Sequence, residues 1–361
     1  MNVNPLRVVT AIAVWVLLMT AASGYYIWSW LNTPQPVKLP DSVYVIERGS
    51  SLHSVAQELN SHGLVRWPRV WVGYARVLNL SNIKAGEYRL AQKESPVSLL
   101  ARFQKGEQLQ HQITLVEGRT LKEFLNTLHR HSKIQRTLEN KTYDEILAEL
   151  GLTIKHPEGY FFPDTYRFIR GDSDQGILLR AYLRMNEVLH QEWINKAEGL
   201  PYKSAYEALI MASIVEKETG AAFERKQIAG VFVRRLQKGM RLQTDPTVIY
   251  GMGDSYKGNI RKRDLKTPTP YNTYTNHGLP PTPIAMPGRE AIHAALHPAS
   301  GNTLYFVAKG DGTHQFSSTL KEHEAAVTKF QKKRRSDYRS APLKQEPVTE
   351  QSDSTIGESK E

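Results

Sequence analysis

The sequence predicts an α+β protein: an N-terminal transmembrane helix, a small βααβ module, and a larger mixed α/β domain with a glutamate at a helix end. Three observations predict it. Val8 to Trp28 is a run of 21 residues without a charge, long enough to cross about 30 Å of hydrocarbon as a helix. Beyond it, short strand-like and helix-like patterns alternate to about residue 107. From Ile113 to Phe330, longer helical patterns mix with β-branched runs. A chain of 361 residues suits two or three compact units.

Arg7 precedes the apolar run, and Tyr25, Tyr26, Trp28 and Trp30 crowd its far end, where amphipathic rings favour a membrane interface. The positive flank makes 1–7 a cytoplasmic stub and 8–28 an anchor, with the bulk of the chain across the membrane. Ala21-Ala22-Ser23 supports a rival reading, a cleaved signal peptide. The apolar run continues past that point, which favours retention. Pro34, Pro36 and Pro40 make 29–40 an extended linker.

Ser42–Ile46 reads as a strand from its β-branched and aromatic residues. Ser50 or Ser51 can cap a helix running to about Leu59. Pro68 leads a second helix over Val65–Leu78. Gly86–Leu90 is a returning strand, and Pro96 opens a helix to Phe103. Residues 41–107 therefore form the first module, and 108–335 the larger domain.

Within that domain helices are expected at Leu121–His131, Tyr143–Leu150, Gln175–Glu192, Ser204–Thr219 and Ala222–Gly239. A strand follows at Leu304–Ala308 and a closing helix at Leu320–Lys333. Gly118, Leu121, Phe124 and Leu128 repeat the spacing of Gly49, Leu52, Val55 and Leu59, a weak sign of one strand–turn–helix unit used twice. From Leu242 to Pro287 the helical period fades, and Pro, Gly, Thr, Tyr and Asn dominate. Long aromatic-rich segments of this kind are usually functional. The polar, net acidic segment 336–361 is expected to be a disordered tail.

Composition removes several function classes. The chain has no cysteine, which excludes disulfides, thiol nucleophiles, iron–sulfur clusters and cysteine zinc sites. Its 12 histidines are scattered without a His-Glu-x-x-His string, and His129-x-His131 would point to opposite sides of a helix. No metal or other cofactor is expected. Gly251-Met252-Gly253 and Gly310-Asp311-Gly312 match no phosphate loop, and no Gly-x-Ser-x-Gly elbow occurs. The net charge of +11 favours anionic partners. The one tight basic cluster is Lys332–Arg335, and nucleic acid is not an expected partner because the bulk of the chain lies outside the cytoplasm.

Chemistry concentrates in three places. The helix Ser204–Thr219 has little polar face, so it is expected to be buried nearly all round. Its last turn carries Glu216-Lys217-Glu218-Thr219 and stops at Gly220. A carboxylate there meets low dielectric and the negative end of the helix dipole, both of which raise its pKa. That environment suits a general acid, although the residues alone favour a solvated helix end whose charges pair with Lys217 or Arg225. Glu216 and Glu218 face different sides, and periodicity does not choose between them. The second place is Leu242–Thr247, with Gln243 and Asp245 around one turn; it is also compatible with a plain Asx turn. The third is Pro270–Tyr274, where Tyr271, Asn272 and Tyr274 suit a sugar's face, amide and hydroxyls, or simply a packed loop.

Ala212–Thr219, Arg241–Gly251, Tyr271–Tyr274 and Gly278–Ile284 closely resemble the strings of the endolytic murein transglycosylase (YceG-like) family, in the family's order. The resemblance runs from about Val8 to Phe330 and includes Glu158-Gly159, Pro163-Asp164-Thr165 and His297-Pro298-Ala299. Tyr44–Glu58 resembles, more loosely, a LysM-type peptidoglycan-binding module. The resemblance implies a single-pass protein of the bacterial inner membrane with a LysM-like module and a periplasmic catalytic domain. It implies a lyase that cuts MurNAc–GlcNAc bonds within nascent glycan strands and leaves 1,6-anhydro ends, ending strand growth. It makes Glu218 the catalytic residue. Thr219, Gln243, Asp245, Tyr271, Asn272, Tyr274 and Glu158 are its expected substrate-binding residues. Peptidoglycan strands, the inner membrane and peptidoglycan synthases are the implied partners. Two other readings stay open: a membrane-anchored scaffold that only binds peptidoglycan, and a conventional muramidase using Glu218 with Asp245.

Overall fold

The structure, a computed structural model, describes residues 5–39 and 42–332. The expected tail at 336–361 and most of the expected stub lie outside the described residues. The chain divides into two units. Of the described residues, one holds those up to 113, 128–137 and 165–177; the other holds 114–127, 138–164 and those from 178 to 332.

The first unit begins with α1 (Pro5–Asn32), one helix long and apolar enough to cross a membrane. It does not stop at Trp28. Trp30 and Leu31 enter the unit's core, and the Trp30 ring meets Trp67 edge-on at 4.8 Å. The expected linker 29–40 is therefore helical in its first part. Its continuation, β1 (Gln35–Pro36), pairs with β4 (Lys93–Glu94). Burial of two large side chains explains the departure, because it outweighs the cost of ordering a short segment.

The βααβ order is as expected: β2 (Val43–Ile46), α2 (Leu52–Ser61), α3 (Pro68–Val77) and β3 (Gly86–Arg89). Strands β2 and β3 pair antiparallel, with Tyr44 opposite Tyr88. Ser51 caps α2 by accepting the Ser54 N–H at 3.0 Å. Helix α4 (Pro96–Lys105) closes the core over Trp71, Tyr88 and Phe103. The Trp71 indole N–H donates to the Pro96 carbonyl at 2.7 Å.

Later segments complete this unit. β5 (His111–Thr114) pairs with β6 (Thr165–Phe168). Glu87, 2% exposed, binds His111 at 2.5 Å, Lys133 at 2.9 Å and Arg170 at 3.2 Å. Burial alone would raise its carboxyl, but these bonds overcome that and hold it down to about 2. The unit thus extends past the expected boundary at 107, because ion-pair partners come from 133 and 170.

The second unit is built on α8 (Ala205–Glu218), capped by the Ser204 hydroxyl and buried from Ala208 through Val215. It packs against α9 (Arg225–Gln237) and α11 (Arg289–Leu296). A 3-10 turn, Ala222–Glu224, precedes α9. Around this core lie α5 (Leu121–His129), α6 (Tyr143–Glu149), α7 (Asp174–Ile194) and α10 (Asp245–Met252). The described residues end in a hairpin of β7 (Tyr305–Ala308) and β8 (His314–Ser317), then α12 (Leu320–Val327) and a π turn, Thr328–Lys332. Two departures matter. Residues 242–287 contain α10, started by Pro246 in its first turn. Helix α11, just beyond them, has no counterpart among the expected elements.

Candidate active site

Helix α8 delivers Glu218 as its last residue, at the negative end of a buried dipole. The side chain is half-buried and opens into a cleft of about 500 Å³ lined also by Arg235, Gln243, Asp245, Tyr274, Tyr305, His314 and His323. The Thr244 hydroxyl donates a short hydrogen bond to Glu218 Oε1. Burial, and after it the charge of Asp245, pushes the Glu218 carboxyl up to about 7, against the Thr244 bond and Arg235, which favour the ionised form. A proton is thus held near neutral pH, in an open cleft, on a group that can lose it.

Glu216 faces elsewhere. Its Oε2 accepts the Gly288 N–H at 3.0 Å, and Arg225 lies 3.7 Å from Oε1. Burial raises this carboxyl too, but its bonds tie α8 to the start of α11.

The turn after α9 supplies the cleft's second side. Gln243 sits at φ +53°, unusual for a residue with a Cβ, and its N–H donates to the Thr273 carbonyl at 3.2 Å. Asp245 is exposed and accepts the Tyr274 hydroxyl at 2.6 Å. Burial first, then that bond to a carboxylate, raises the Tyr274 phenol.

Four expected contact residues do not line the cleft. Asn272 is 0% exposed. Its amide donates to the carbonyls of Asp264, Leu265 and Thr267 at 3.3, 3.1 and 2.7 Å and accepts the Tyr274 N–H at 2.9 Å. All its bonding capacity goes to shaping the loop that aims Tyr274. Thr219 is buried, and its hydroxyl accepts the Ala221 N–H at 2.9 Å. The Tyr271 hydroxyl bonds Thr282 at 2.9 Å, with its ring against Tyr250. Glu158, 0% exposed, accepts the Leu121 N–H at 2.9 Å and the Tyr250 hydroxyl at 3.1 Å. Burial pushes its carboxyl up to about 7, but it does not line the cleft beside Glu218. Gly159 beside it has φ +86°, and a Cβ there would meet Pro283 at 2.5 Å; close backbone approach, not substrate, explains this string.

Several lining residues carry no signal in the sequence. Thr244, whose hydroxyl reaches Glu218, does carry one, as a hydroxyl of the Leu242–Thr247 turn. Arg235 gave none: it reaches the carbonyls of Leu304 at 2.7 Å and Leu242 at 2.8 Å, residues remote or unremarkable in sequence. Glu224 grips His314 through both backbone and ring, at 2.9 and 2.7 Å, and so fixes the β7–β8 wall. The structure also gathers Glu192, His293 and His297, whose ligand atoms lie within 4.8 Å of one another, a grouping that sequence spacing does not suggest. Arg289 already bonds Glu192 at 2.9 Å there.

Comparison with known proteins places these residues in context. The model of the YceG-like family matches residues 44–329. A Bacillus subtilis protein named endolytic murein transglycosylase is 33% identical over 303 residues, spanning 79% of this chain and 83% of that one. A Streptococcus pneumoniae protein of the same name is 28% identical over 350 residues, 86% of this chain and 63% of its own. The crystal structure of a YceG-like protein from Listeria monocytogenes superposes with a TM-score of 0.50 at 30% identity, covering 78% of this chain and 97% of that one.

Proposed function

The chain belongs to the YceG-like family, and on that premise we propose that it is a lytic murein transglycosylase, a lyase acting within peptidoglycan glycan strands. The observation that carries the reading is a single acid, Glu218, protonated near neutral pH at the rim of an open cleft. Protonated Glu218 donates to the glycosidic oxygen leaving C1 of MurNAc. The bond breaks, and the oxocarbenium charge at C1 is met by the 6-hydroxyl of the same sugar. That hydroxyl's proton passes to the Glu218 carboxylate, which restores the acid and leaves a 1,6-anhydro end. Ordinary glycosidases need two carboxyl groups to manage water or a covalent intermediate; an internal nucleophile needs one. Asp245 and the Tyr274 hydroxyl lie in the same cleft, where negative charge favours the cationic transition state. Thr244 tunes the acid, Gln243 contacts sugar, and Asn272 acts through the loop it organises.

The family likeness also supports a finer placement: α1 as a single-pass inner-membrane anchor, the bulk of the chain in the periplasm, the βααβ module as a LysM-like glycan holder, and synthases as neighbours on nascent strands. Asp245 beside Glu218 supports a second reading, hydrolysis. Muropeptides released from purified sacculi separate the two: anhydro ends for the lyase, reducing ends for the hydrolase. Anhydro release must vanish in Glu218→Gln and persist in Glu216→Gln. A fully active Glu218→Gln protein sinks the mechanism.

A further inference from the structure

The cleft contains one charge that the proposed reaction leaves unused. Arg235 is only 7% exposed, yet it lines the open cleft beside Glu218. Its guanidinium bonds through Nε to the Leu304 carbonyl and through Nη1 to the carbonyls of Leu242 and Arg241 and the Gln243 amide oxygen, at 2.7 to 3.5 Å. All four partners are neutral. Among the described residues no carboxylate lies within ion-pair distance of it, and Nη2 has no hydrogen-bond partner. Tyr305 packs against the guanidinium at 5.1 Å, and His323 stacks on Tyr305 at 5.2 Å, so the group is held in one place.

A buried cation without a counter-ion is costly, and burial already lowers the pKa of this one. Glu218 gives little compensation while it carries a proton. Nε and Nη1 are committed, but a fixed guanidinium whose Nη2 keeps its N–H groups open at the wall of a substrate cleft can donate to a carboxylate. On a murein glycan strand the backbone sugars are neutral apart from one group, the lactyl ether of muramic acid. It ends in a carboxylate where the stem peptide has been removed and in an amide where it has not.

We propose that Arg235 forms a subsite for the muramyl lactyl carboxylate, so that the cleft grips peptide-free stretches of strand more tightly than stretches with that carboxyl blocked. This rests on the transglycosylase reading above and adds a substrate preference to it. The Gln243 amide, bonded to the same guanidinium, is placed to sense its occupation.

The test uses the full chain in detergent, in the Glu218→Gln background, so that binding is read without turnover. Three probes are compared: strands with stem peptides, strands stripped to free lactyl carboxylates by an amidase, and stripped strands whose carboxylates are capped with methylamine. The expected result is about tenfold tighter binding of the free-carboxylate strands than of the capped ones. The preference should weaken in Arg235→Lys, disappear in Arg235→Gln, and shrink with added salt. Equal binding of free and capped strands overturns the subsite, and that comparison requires no folding-sensitive variant. A preference that survives in folded Arg235→Gln protein overturns it as well. Failure of the underlying reading looks different: the unmutated chain would release no anhydro product from any of the three strands.

Discussion

Replacing Glu218 with glutamine should abolish activity and, at alkaline pH, make the protein more stable. The carboxyl moves from an ordinary 4.5 to about 7 on folding, a gap of about 2.5 pH units. Below pH 4.5 it is protonated in both folded and unfolded chains, and burial costs little. Above pH 7 it is ionised in both, and the folded state carries the full cost of a desolvated charge. The loss of stability therefore accrues as pH rises from 4.5 to 7. At ~1.4 kcal/mol per unit this is at most about 3.5 kcal/mol. The cleft is open, so solvent screening reduces it to about 1.5 kcal/mol. Glutamine keeps the shape and still accepts the Thr244 hydroxyl, but it carries no charge. Thermal melts of the detergent-purified chain should give matching midpoints for the two proteins at pH 4. At pH 8 the variant should melt about 3–6 °C higher. A midpoint difference that is the same at both pH values, or a variant that melts lower at pH 8, would refute the argument. Such a result would mean that Glu218 is not desolvated in the native cleft.

Other outcomes follow from the same contacts. Thr244→Val removes a donor that favours ionised Glu218; a bond of that kind is worth about 1.5–3 kcal/mol. The alkaline limb of kcat/KM, measured as anhydro-product release, should move upward from near 7 by about one pH unit, and an unmoved limb would show that the bond does not tune the acid. Asn272→Ala loses three amide-to-carbonyl bonds, so its denaturation midpoint should report about 3 kcal/mol less stability, with activity falling because Tyr274 is no longer aimed. A chain beginning at Thr33 lacks Trp30 and Leu31 and should lose about 4 kcal/mol in the first unit relative to one beginning at Ser29. Equal urea midpoints would contradict the packing described for them.

What could be read from the sequence was local. Helix α8 was legible because Ser204 caps it, its interior is apolar on every face and Gly220 ends it. The βααβ order was legible for similar reasons, with Ser51 and Pro68 marking the starts. Choosing Glu218 over Glu216 was not possible from periodicity; the choice came from the family strings. What stayed hidden depends on distant partners. β5 pairs with a strand some fifty residues later, and nothing in His111–Thr114 announces that. Glu158 and Asn272 carry polar groups of the kind substrates need, yet tertiary contacts consume them: the Leu121 amide in one case, three loop carbonyls in the other. Arg235 was invisible for the converse reason, since its buried position is set by carbonyls at 242 and 304.

The helix α1 carries a mechanical consequence. Its 28 residues amount to about 42 Å at 1.5 Å per residue, some 12 Å more than a hydrocarbon layer of about 30 Å. Where residues 8–28 cross a bilayer, roughly the last turn of the helix stands clear of the lipid tails, and Trp30 and Leu31 on it are set into the core of the first unit. The helix then acts as a splint, not a tether: the unit cannot swivel freely or drift outward on a loose leash. On such a membrane the loops of the first unit would sweep only a thin shell at headgroup height.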